Sequence, residues 1–353
     1  MSREPRATVL LAVYNGARWL GRSLDSVLKQ DWRDFEMLVV DDASTDGSPA
    51  VLAAVDDDRL VVLRNESNLG LTASLNRGLA LARGAVILRH DADDLSLPGR
   101  FARQMAFMDA HPDVGVCGSW AAMVGENDEA LGLYRVPTDH GPIVWQVGFG
   151  HGFAHPCVAL RTGVVRDAGG YDENWRTAQD QELWTRLAWT TRLANIAEPL
   201  VEYRVHGAMA SRVRSAEQRR GDVLARQLFL QRLLGREVPE ELLRWNFVPP
   251  LSPLQPQSLR TQARGIGNFA TLALAARSAV RDGFCATAGE RREVSRLAGR
   301  KLHALAAQAA GCSLPLAAGL LARAVALDPS LLSPSELGRV VRAAARSLTG
   351  GRR

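Results

Sequence analysis

The first hundred residues alternate short apolar runs with segments of helical periodicity, and this alternation limits the possible folds more than any other feature. Runs of β-forming residues predict strands at 7–13, 36–40, 60–63 and 85–89. Each run is nearly continuous in apolar residues, as expected of strands that are buried on both faces. Strands that alternate with helices form a parallel sheet wrapped by crossover helices. We therefore predict an α/β fold with a mostly parallel sheet flanked by helices.

The composition and the hydrophobic spacing of the sequence change beyond residue 215. Leu, Ala and Arg at helical spacing replace the short strands, and a proline-rich linker lies around residues 249–256. Residues 316–327 and 335–348 have the pattern of amphipathic helices, either of a small bundle or of a membrane surface. A length of 353 residues exceeds that of one average domain. We predict a catalytic α/β domain over residues 1–214 and a basic α-helical domain over residues 215–353.

Charge is divided unevenly along the chain. Residues 1–200 contain 19 basic and 27 acidic side chains, a balance of −8, and residues 201–353 contain 24 and 11, a balance of +13. Enzymes that act on nucleic acids place positive charge around the active site, so an acidic first half argues against a nucleic-acid partner. Solvated arginine-rich helix faces are the simpler interpretation of the basic half. A peripheral membrane contact with anionic lipid is the alternative.

Cysteine spacing and apolar runs indicate the compartment. Cys117, Cys157, Cys285 and Cys312 stand far apart, which argues against a disulfide framework and against a zinc site. The first apolar run is too short for a signal peptide, and no run has the length needed to span a bilayer. We therefore expect a cytoplasmic location, either free or at the inner face of the membrane.

Polar residues follow three of the four predicted strands at their carboxyl ends, where open parallel sheets bind ligands. They are Tyr14, Asn15 and Gly16 after the first strand, Asp41 and Asp42 after the second, and Asp91, Asp93 and Asp94 after the fourth. A single acidic cluster has a structural explanation, because aspartate is a common helix N-cap and turn residue. Two clusters at one edge favour a ligand site instead.

The spacing of the last cluster points to a metal ion. Asp91 and Asp93 are two residues apart in an extended segment, so both carboxylates point the same way and suit a hard cation, Mg²⁺ or Mn²⁺. Such an ion keeps open positions that substrate phosphates can fill. The chain has neither a Gly-x-Gly-x-x-Gly loop nor a Walker-type loop. A metal-bridged diphosphate therefore fits this acidic half better than direct binding by basic side chains.

The chain resembles family 2 glycosyltransferases in segments that occur in the family's order. These are AVYNGARWL, LVVDDASTDGS, NLGLTASLNRGLALARG, HDADDLSLPGRFARQ, FAHPCVALR, GGYDENW, QDQELWTRLA and YRVH. The likeness covers residues 7 to about 206 and not the remainder. It implies a GT-A fold with a Rossmann-like sheet, and an inverting, metal-dependent transfer of a sugar from a nucleoside-diphosphate donor to an acceptor hydroxyl. The donor would be UDP-, dTDP- or GDP-linked, and the acceptor a saccharide or lipid-linked saccharide of cell-envelope polysaccharide or glycolipid synthesis.

The resemblance also implies roles for individual residues. The donor nucleotide would lie near Ala12, Tyr14, Asn15, Asp42, Asn76 and Asp91. The metal would be bound by Asp93 and Asp91, with His206 as a further ligand and Asp94 in support. A histidine that closes a strand is also often a hydrogen-bonded residue without a ligand role. His155 and Trp175 would line the sugar or acceptor pocket, or pack in the core.

Asp180 matches the catalytic base of the family. It begins the predicted helix that contains Leu183, Trp184 and Leu187, so an N-cap role is the structural alternative, and the two roles are compatible. Partial burial would raise the pKa of this carboxyl toward useful proton acceptance. Glu182 would complement the helix dipole or contact substrate.

Three positions depart from the family's usual pattern. Gln179 stands where Glu is common, Cys157 where Ser is common, and Ala12 where Pro is frequent.

Three other classes of protein share parts of the motif set. A nucleotidyltransferase would also use paired aspartates around a divalent ion. A phosphoacceptor receiver domain would explain Asp41 and Asp42 alone. A non-catalytic nucleotide-sugar-binding protein is disfavoured by the presence of Asp180.

Overall fold

A computed structural model describes residues 4–207, 215–243, 246, 259–310 and 312–332 of the chain. By packing, the chain forms two compact units. The first comprises Met1–Asp139 and His151–Asp222, and the second comprises His140–Gly150 and Val223–Arg353. The domain boundary expected at residues 214 and 215 stays a prediction, because residues 208–214 lie outside the described part of the chain.

The first unit contains a nine-stranded sheet and its flanking helices, numbered here in chain order through both units. Its strands are β1 Ala7–Val13, β2 Phe35–Asp41, β3 Leu60–Arg64, β4 Val86–Arg89, β5 Leu95–Ser96, β6 Val114–Val124, β7 Ala130–Tyr134, β8 Ala159–Arg161 and β9 Arg192–Arg204. Its helices are α1 Ala17–Leu28, α2 Ser48–Ala53, α3 Leu71–Leu81, α4 Arg100–Ala110, α6 Thr162–Asp167 and α7 Gln179–Leu187, with a 3₁₀ turn at His155–Cys157.

The sheet has the strand order β3-β2-β1-β4-β8-β6-β9-β5, and β7 pairs with β6. Strands β3, β2, β1 and β4 are parallel to one another, as are β6 and β9. Strand β8 runs antiparallel to both of its neighbours. The predicted α/β sheet flanked by helices is confirmed.

The core of the first unit lies on both faces of the parallel strands. Val9, Leu11 and Val13 belong to one apolar cluster with buried residues of α1 and α4. Leu10 points to the other face, where a Cβ added to Gly78 of α3 would lie 2.2 Å from Leu10 Cδ1. A side chain at position 78 would therefore force Leu10 to move, and glycine lets α3 pack this closely on the sheet. This two-sided burial matches the continuous apolar runs of β1 and β2.

Two strands differ from the sequence-based expectation. Strand β3 lies at the edge of the sheet, and Val61 and Val62 are 38% and 42% exposed instead of buried on both faces. Strand β9 was expected only over residues 201–206, but it begins at Arg192 and ends at Arg204. Glu198 and Pro199 interrupt the apolar pattern of β9 without ending it, because the register with β6 shifts beside them.

The second unit is entirely helical over its described residues. It contains α5 His140–Phe149, most of α8 Ser215–Leu234, α9 Glu240–Leu243, α10 Leu259–Gly283, α11 Ala288–Ala309, α12 Leu314–Leu327 and a 3₁₀ turn at Pro329–Leu332. Thr287 and Glu290 form a capping box at the start of α11. The predicted C-terminal helical region is confirmed as far as it is described. The helix predicted at 335–348 and the linker at 249–256 lie outside the described residues.

None of the helices in the described ranges is both long enough and apolar enough to cross a membrane.

Candidate active site

The turn between β4 and β5 brings three carboxylates together. One oxygen of each of Asp91, Asp93 and Asp94 lies within 4.8 Å of the others. Asp94 is buried and the other two are partly buried. Burial, and then the negative charge of neighbouring aspartates, raises the pKa of Asp93 and raises that of Asp94 well above its ordinary value. The paired carboxylates predicted from the sequence therefore lie together and repel one another.

The end of β9 completes this acidic cluster from the opposite side. His206 Nε2 lies 2.8 Å from Asp93 Oδ2, and the His206 ring contacts the ring of Trp19 at a centroid distance of 4.2 Å. The backbone N–H of Arg204 donates to Asp94 Oδ1 at 2.8 Å, and Arg204 Nε donates to the Asp93 carbonyl at 3.1 Å. The structure thus brings His206 to the carboxylates, as the resemblance implied, and β9 holds the turn in place.

Two polar atoms of the cluster are buried without a hydrogen-bond partner among the described residues, namely Asp94 Oδ2 and His206 Nδ1. Buried polar atoms normally have partners, and an unmet carboxylate oxygen next to two other carboxylates is costly. A divalent cation bound by oxygen ligands would relieve both the repulsion and the unmet oxygen. The donor set fits Mg²⁺ or Mn²⁺.

Arg89, the last residue of β4, pairs with the acidic cluster, a role that the sequence patterns did not indicate. Its guanidinium is fully buried and forms an ion pair with Asp91. Burial raises the pKa of Asp180 and lowers that of His155, and the positive charge of Arg89 opposes the first shift and adds to the second. The available signal was a charged residue ending a strand that is otherwise apolar, Val86–Arg89.

Asp180 is the second residue of α7 and is partly buried. The N-cap of the helix is Ala178, so Asp180 lies in the first turn and does not cap it. Burial raises the pKa of Asp180, and the charge of Asp91 raises it further, whereas the Gln181 N–H and Arg89 oppose this. Asp180 is therefore close enough to the acidic cluster to interact electrostatically with Asp91.

His155 and Tyr171 form a hydrogen-bonded pair that interacts with the same charges. His155 Nε2 lies 2.9 Å from the Tyr171 hydroxyl, and the His155 ring packs edge-on against Trp184. Burial lowers the pKa of His155 well below its ordinary value, so its ring is neutral at pH 7. Burial raises the pKa of Tyr171, and Asp180 raises it further. Both rings are therefore close enough to Arg89 to feel its charge, and Tyr171 is also close enough to feel that of Asp180.

Asp42 is held by the protein itself. Its Oδ1 accepts hydrogen bonds from Asn65 Nδ2 at 2.7 Å and from the Leu69 N–H at 2.8 Å, and its Oδ2 accepts from the Gly70 N–H at 2.8 Å. The carboxylate therefore anchors the loop that leads into α3. A role in contacting the nucleotide base would have to use the remaining lone pairs.

The loop after β1 is joined to the loop after β2. Asn15 has a positive φ of 54°, and its Oδ1 accepts from the N–H groups of Thr45 and Asp46 at 2.8 and 3.3 Å. Tyr14 beside it is 51% exposed, and Ala12 is partly buried at the end of β1. The register pairs Val13 with Asp41 and Leu10 with Arg89, so these loops and the acidic cluster share one edge of the sheet.

Asn76, Glu182 and Trp175 have polar groups that other parts of the protein bind. Asn76 accepts from the Tyr171 N–H at 2.9 Å and donates to the Tyr171 carbonyl at 2.7 Å. Glu182 is buried and forms a two-pronged ion pair with Arg186. The Trp175 carbonyl accepts from Thr72 Oγ1 at 2.7 Å. The predicted ligand contacts of Asn76 and Glu182 compete with these internal bonds.

Comparisons with known proteins agree with this architecture. The model of the family described as Glycosyl transferase family 2 matches residues 8–168. The glycosyltransferase EpsE of Bacillus subtilis is 34% identical over 192 residues, which are 53% of this chain and 68% of EpsE. The amylovoran biosynthesis glycosyltransferase AmsE of Erwinia amylovora is 30% identical over 212 residues, which are 59% of this chain and 79% of AmsE.

A solved structure is similar over nearly the whole chain. Residues 1–349 of S. aureus TarS in complex with UDP-GlcNAc superpose with a TM-score of 0.53 and 19% sequence identity, covering 98% of this chain and 92% of that one. At this identity the likeness concerns the fold, and it confirms the GT-A architecture expected from the sequence. Together with the family match and the two relatives, the fold identifies the protein as a glycosyltransferase that belongs to glycosyl transferase family 2.

Proposed function

We propose that this enzyme is an inverting, metal-dependent glycosyltransferase that transfers a sugar from a nucleoside-diphosphate donor to an acceptor hydroxyl. The observation that carries the proposal is the acidic cluster of Asp91, Asp93 and Asp94, whose ligand oxygens lie within 4.8 Å of one another. Asp180, a carboxyl with a raised pKa, lies within electrostatic reach of this cluster. A cation site beside a proton acceptor is what direct displacement at a glycosyl phosphate requires.

Asp180 would act as the general base. Its carboxylate accepts the proton of the acceptor hydroxyl as the oxygen attacks the anomeric carbon, and the nucleoside diphosphate leaves from the opposite face. This single displacement inverts the anomeric centre. A base of raised pKa accepts a proton better than an ordinary aspartate, and such a base contributes about 10²–10⁴-fold to the rate.

Asp93 and Asp91 would bind the metal, with His206 as a further ligand and Asp94 in support. The unmet Asp94 Oδ2 and the raised pKa values of Asp93 and Asp94 support this assignment. When bound, a divalent ion supplies positive charge that stabilises the negative charge growing on the leaving diphosphate. Arg204 and β9 hold the carboxylates, and Arg89 orients Asp91.

The donor would bind at the shared sheet edge, near Ala12, Tyr14, Asn15 and Asp42. The TarS structure contains UDP-GlcNAc, which supports a nucleotide-sugar donor here as well, UDP-, dTDP- or GDP-linked. The name of AmsE refers to amylovoran biosynthesis, which supports a saccharide or lipid-linked acceptor in polysaccharide synthesis. The exposed ring of Tyr14 is available for stacking on a nucleotide base.

The deciding experiment is the release of nucleoside diphosphate from a panel of UDP-, dTDP- and GDP-sugars, with Mg²⁺, with Mn²⁺ or with EDTA. We expect release from one donor class, only with metal, and loss of release in Asp180→Asn with donor-induced thermal stabilisation retained. Proton NMR of the product then reports the anomeric configuration. Release of pyrophosphate would favour a nucleotidyltransferase, and binding without turnover would favour a non-catalytic protein.

Cytoplasmic location and lipid contact are further parts of the proposal. All four cysteines are free thiols, which suits a reducing compartment. Leu224 and Leu228, one turn apart on α8, are 45% and 49% exposed, and residues 201–353 have an excess of positive charge. We expect binding to vesicles that contain anionic lipid and weaker binding to neutral vesicles, as flotation would measure. Equal absence from both vesicle types would exclude the lipid contact.

A further inference from the structure

The N-cap residue of the helix that carries Asp180 makes no side-chain capping hydrogen bond. Its N-cap, Ala178, has φ 56° and ψ 21°, a left-handed conformation that is unfavourable for a residue with a Cβ. Ala178 itself supplies no side-chain acceptor to the first turn, where the Asp180 carboxyl accepts from the Gln181 N–H, and the Ala178 N–H donates to Gln218 Oε1 at 3.2 Å. A strained residue persists only where the surroundings impose it. Other contacts must therefore set the position of this helix.

Those contacts come from the body of the helix. Arg186 Nε and Nη2 donate to the two oxygens of Glu182, at 2.6 and 2.7 Å. Nη2 also donates to the Gly170 carbonyl at 2.8 Å, and Nη1 donates to the Ala168 carbonyl. A planar guanidinium can make these bonds at once, whereas an ammonium cannot. We call Glu182 and Arg186 the α7 clamp, because they bind α7 to the turn of residues 168–170.

The turn that the clamp grips is itself positioned. Gly169 and Gly170 have φ values of 84° and 72°, which residues with a Cβ rarely adopt. Immediately after them, the backbone of Tyr171 is held at both its N–H and its carbonyl by the side chain of Asn76 on α3. The Tyr171 hydroxyl meets His155. One continuous set of bonds therefore links α3, the glycine turn and α7.

We propose that Glu182 and Arg186 are positioning residues that set where Asp180 stands relative to the acidic cluster, and that Glu182 does not contact substrate. Each Glu182 oxygen accepts a hydrogen bond from Arg186 and Glu182 is buried, so a substrate hydroxyl would have to reach the remaining lone pairs of a carboxylate that the protein already covers. This proposal rests on the assignment of Asp180 as the base. It predicts that breaking the clamp misplaces the base and leaves donor and metal binding intact.

A nucleophile that needs no base separates positioning from general structural support. Azide attacks the anomeric carbon as an anion, so that a carbon–nitrogen bond forms, the bond to the phosphate oxygen breaks, and glycosyl azide and nucleoside diphosphate result. Water needs deprotonation and azide does not. The measurement is nucleoside diphosphate release from the panel donor that the wild type hydrolyses best, with Mg²⁺, in water alone and with sodium azide.

We expect Glu182→Gln and Arg186→Gln to lower the water reaction about tenfold or more and the azide reaction less than about threefold, since a base contributes on the order of 10²–10⁴. The donor concentration at half-maximal rate should stay unchanged. Arg186→Lys should have an intermediate rate of the water reaction, because lysine keeps the charge but not the paired N–H donors of the guanidinium. Asp25→Asn, which removes an exposed i,i+4 ion pair with Lys29 on α1, is the matched control and should react as the wild type does.

Three outcomes decide the matter. Parallel loss of the water and azide reactions in the clamp variants would overturn the proposal in favour of plain structural support. A raised half-maximal donor concentration in Glu182→Gln would overturn it in favour of substrate contact. If Asp180→Asn keeps its water reaction, the base assignment fails, and this failure is distinct from that of the clamp. Should Arg186→Gln not fold, Glu182→Gln and Arg186→Lys provide the same comparison.

Discussion

The ends of β2 and β4 both present paired aspartates at one sheet edge, yet their carboxylates have opposite surroundings. Asp42 accepts three hydrogen bonds from N–H groups, and Asp41 Oδ1 accepts one from the Ser44 N–H at 2.9 Å. Asp93 and Asp94 face other carboxylates, and Asp94 Oδ2 has no hydrogen-bond partner in the described part of the chain. The protein supplies N–H donors to both carboxylates of the first pair, which we call saturated in this sense, and it leaves Asp94 Oδ2 of the second, unsaturated pair without one.

The difference shows that an Asp-Asp pair after a buried strand has no fixed meaning. Hydrogen bonds from N–H groups stabilise the ionised form of a carboxyl, whereas a neighbouring carboxylate and burial disfavour it. The segment at residues 65–70 supplies three N–H donors to Asp42, whereas the end of β9 supplies one N–H to Asp94 and places His206 Nε2 beside Asp93. The number of donors delivered by distant segments separates an anchor from a cation site.

The largest expected effect concerns the unsaturated pair. Asp93→Asn should lower nucleoside diphosphate release on the order of 10⁴-fold, because it removes a ligand of the proposed metal ion, and metal stabilisation of a leaving group amounts to several kcal/mol. The thermal stabilisation by Mn²⁺ should vanish with it. Asp25→Asn on α1 serves as the control. Turnover within tenfold of the wild type would show that the carboxylates after β4 hold no catalytic ion.

The saturated pair should matter more for stability. Asp42→Ala leaves the Asn65 amide and the N–H groups of Leu69 and Gly70 without their acceptor, so we expect a loss of about 2–4 kcal/mol in the free energy of unfolding. Asp93→Ala, measured by urea unfolding in EDTA, should cost less than about 1 kcal/mol, because it relieves repulsion. Equal costs for the two variants would remove the distinction between anchor and cation site.

The comparison also marks how far the sequence alone leads. Continuous apolar runs located β1 and β2 within a residue or two, because strands buried on both faces permit little else. The rule that ligands gather at carboxyl strand ends predicted Asp91 and Asp93, the resemblance to family 2 glycosyltransferases added His206, and the structure groups the three. Strand β9 was underestimated, since its length depends on pairing with β6 and not on its own apolar pattern.

The partners of each side chain were beyond the sequence. Glu182 is paired with Arg186 four residues on, a spacing that the sequence contains, but its bonds to carbonyls at 168 and 170 depend on how α7 packs. Asn76 meets Tyr171 across 95 residues. The burial of Arg89 beside Asp91 is likewise a product of tertiary structure. Residue types and strand ends predict which groups assemble, and packing decides which remain unsatisfied.

A smaller effect connects the unsaturated cluster with the base. Because the positive charge of Arg89 lowers the pKa of Asp180, removing it in Arg89→Gln should raise that pKa further. The pH below which nucleoside diphosphate release declines should then move upward. A rise of one unit in the pKa of Asp180 would lower the rate about tenfold on the acidic limb and leave the high-pH plateau less affected. Arg89→Lys should keep most of the wild-type profile.

The control for this pH profile is Arg103→Gln, which removes an exposed ion pair with Glu198 away from the cluster. It should leave the acidic limb in place. If the acidic limb of the pH–rate profile stays at the same pH in Arg89→Gln and the rate falls equally at every pH, Arg89 acts only by orienting Asp91.

The smallest expected effect is a gain in stability without metal. The pKa of Asp94 is raised in the folded state, so the folded protein binds this proton more tightly than the unfolded chain, and stability falls as pH rises through the folded pKa. Asp94→Asn keeps an oxygen for the Arg204 N–H and removes the charge. In EDTA at pH 7.5 the variant should therefore be more stable than the wild type by about 1 kcal/mol, and the gain should shrink toward pH 5.

Mg²⁺ or Mn²⁺ should reverse this order, because an ion that binds only the folded wild type adds its binding free energy to stability. Urea unfolding from pH 5 to 8, with and without metal, measures both the gain in stability in EDTA and its reversal by metal. The control is Asp113→Asn, which removes an exposed ion pair with Arg192. An Asp94→Asn variant that is less stable than the wild type in EDTA would mean that the protein alone satisfies this carboxylate. The contrast between the carboxylates after β2 and those after β4 would then not hold for the buried Asp94.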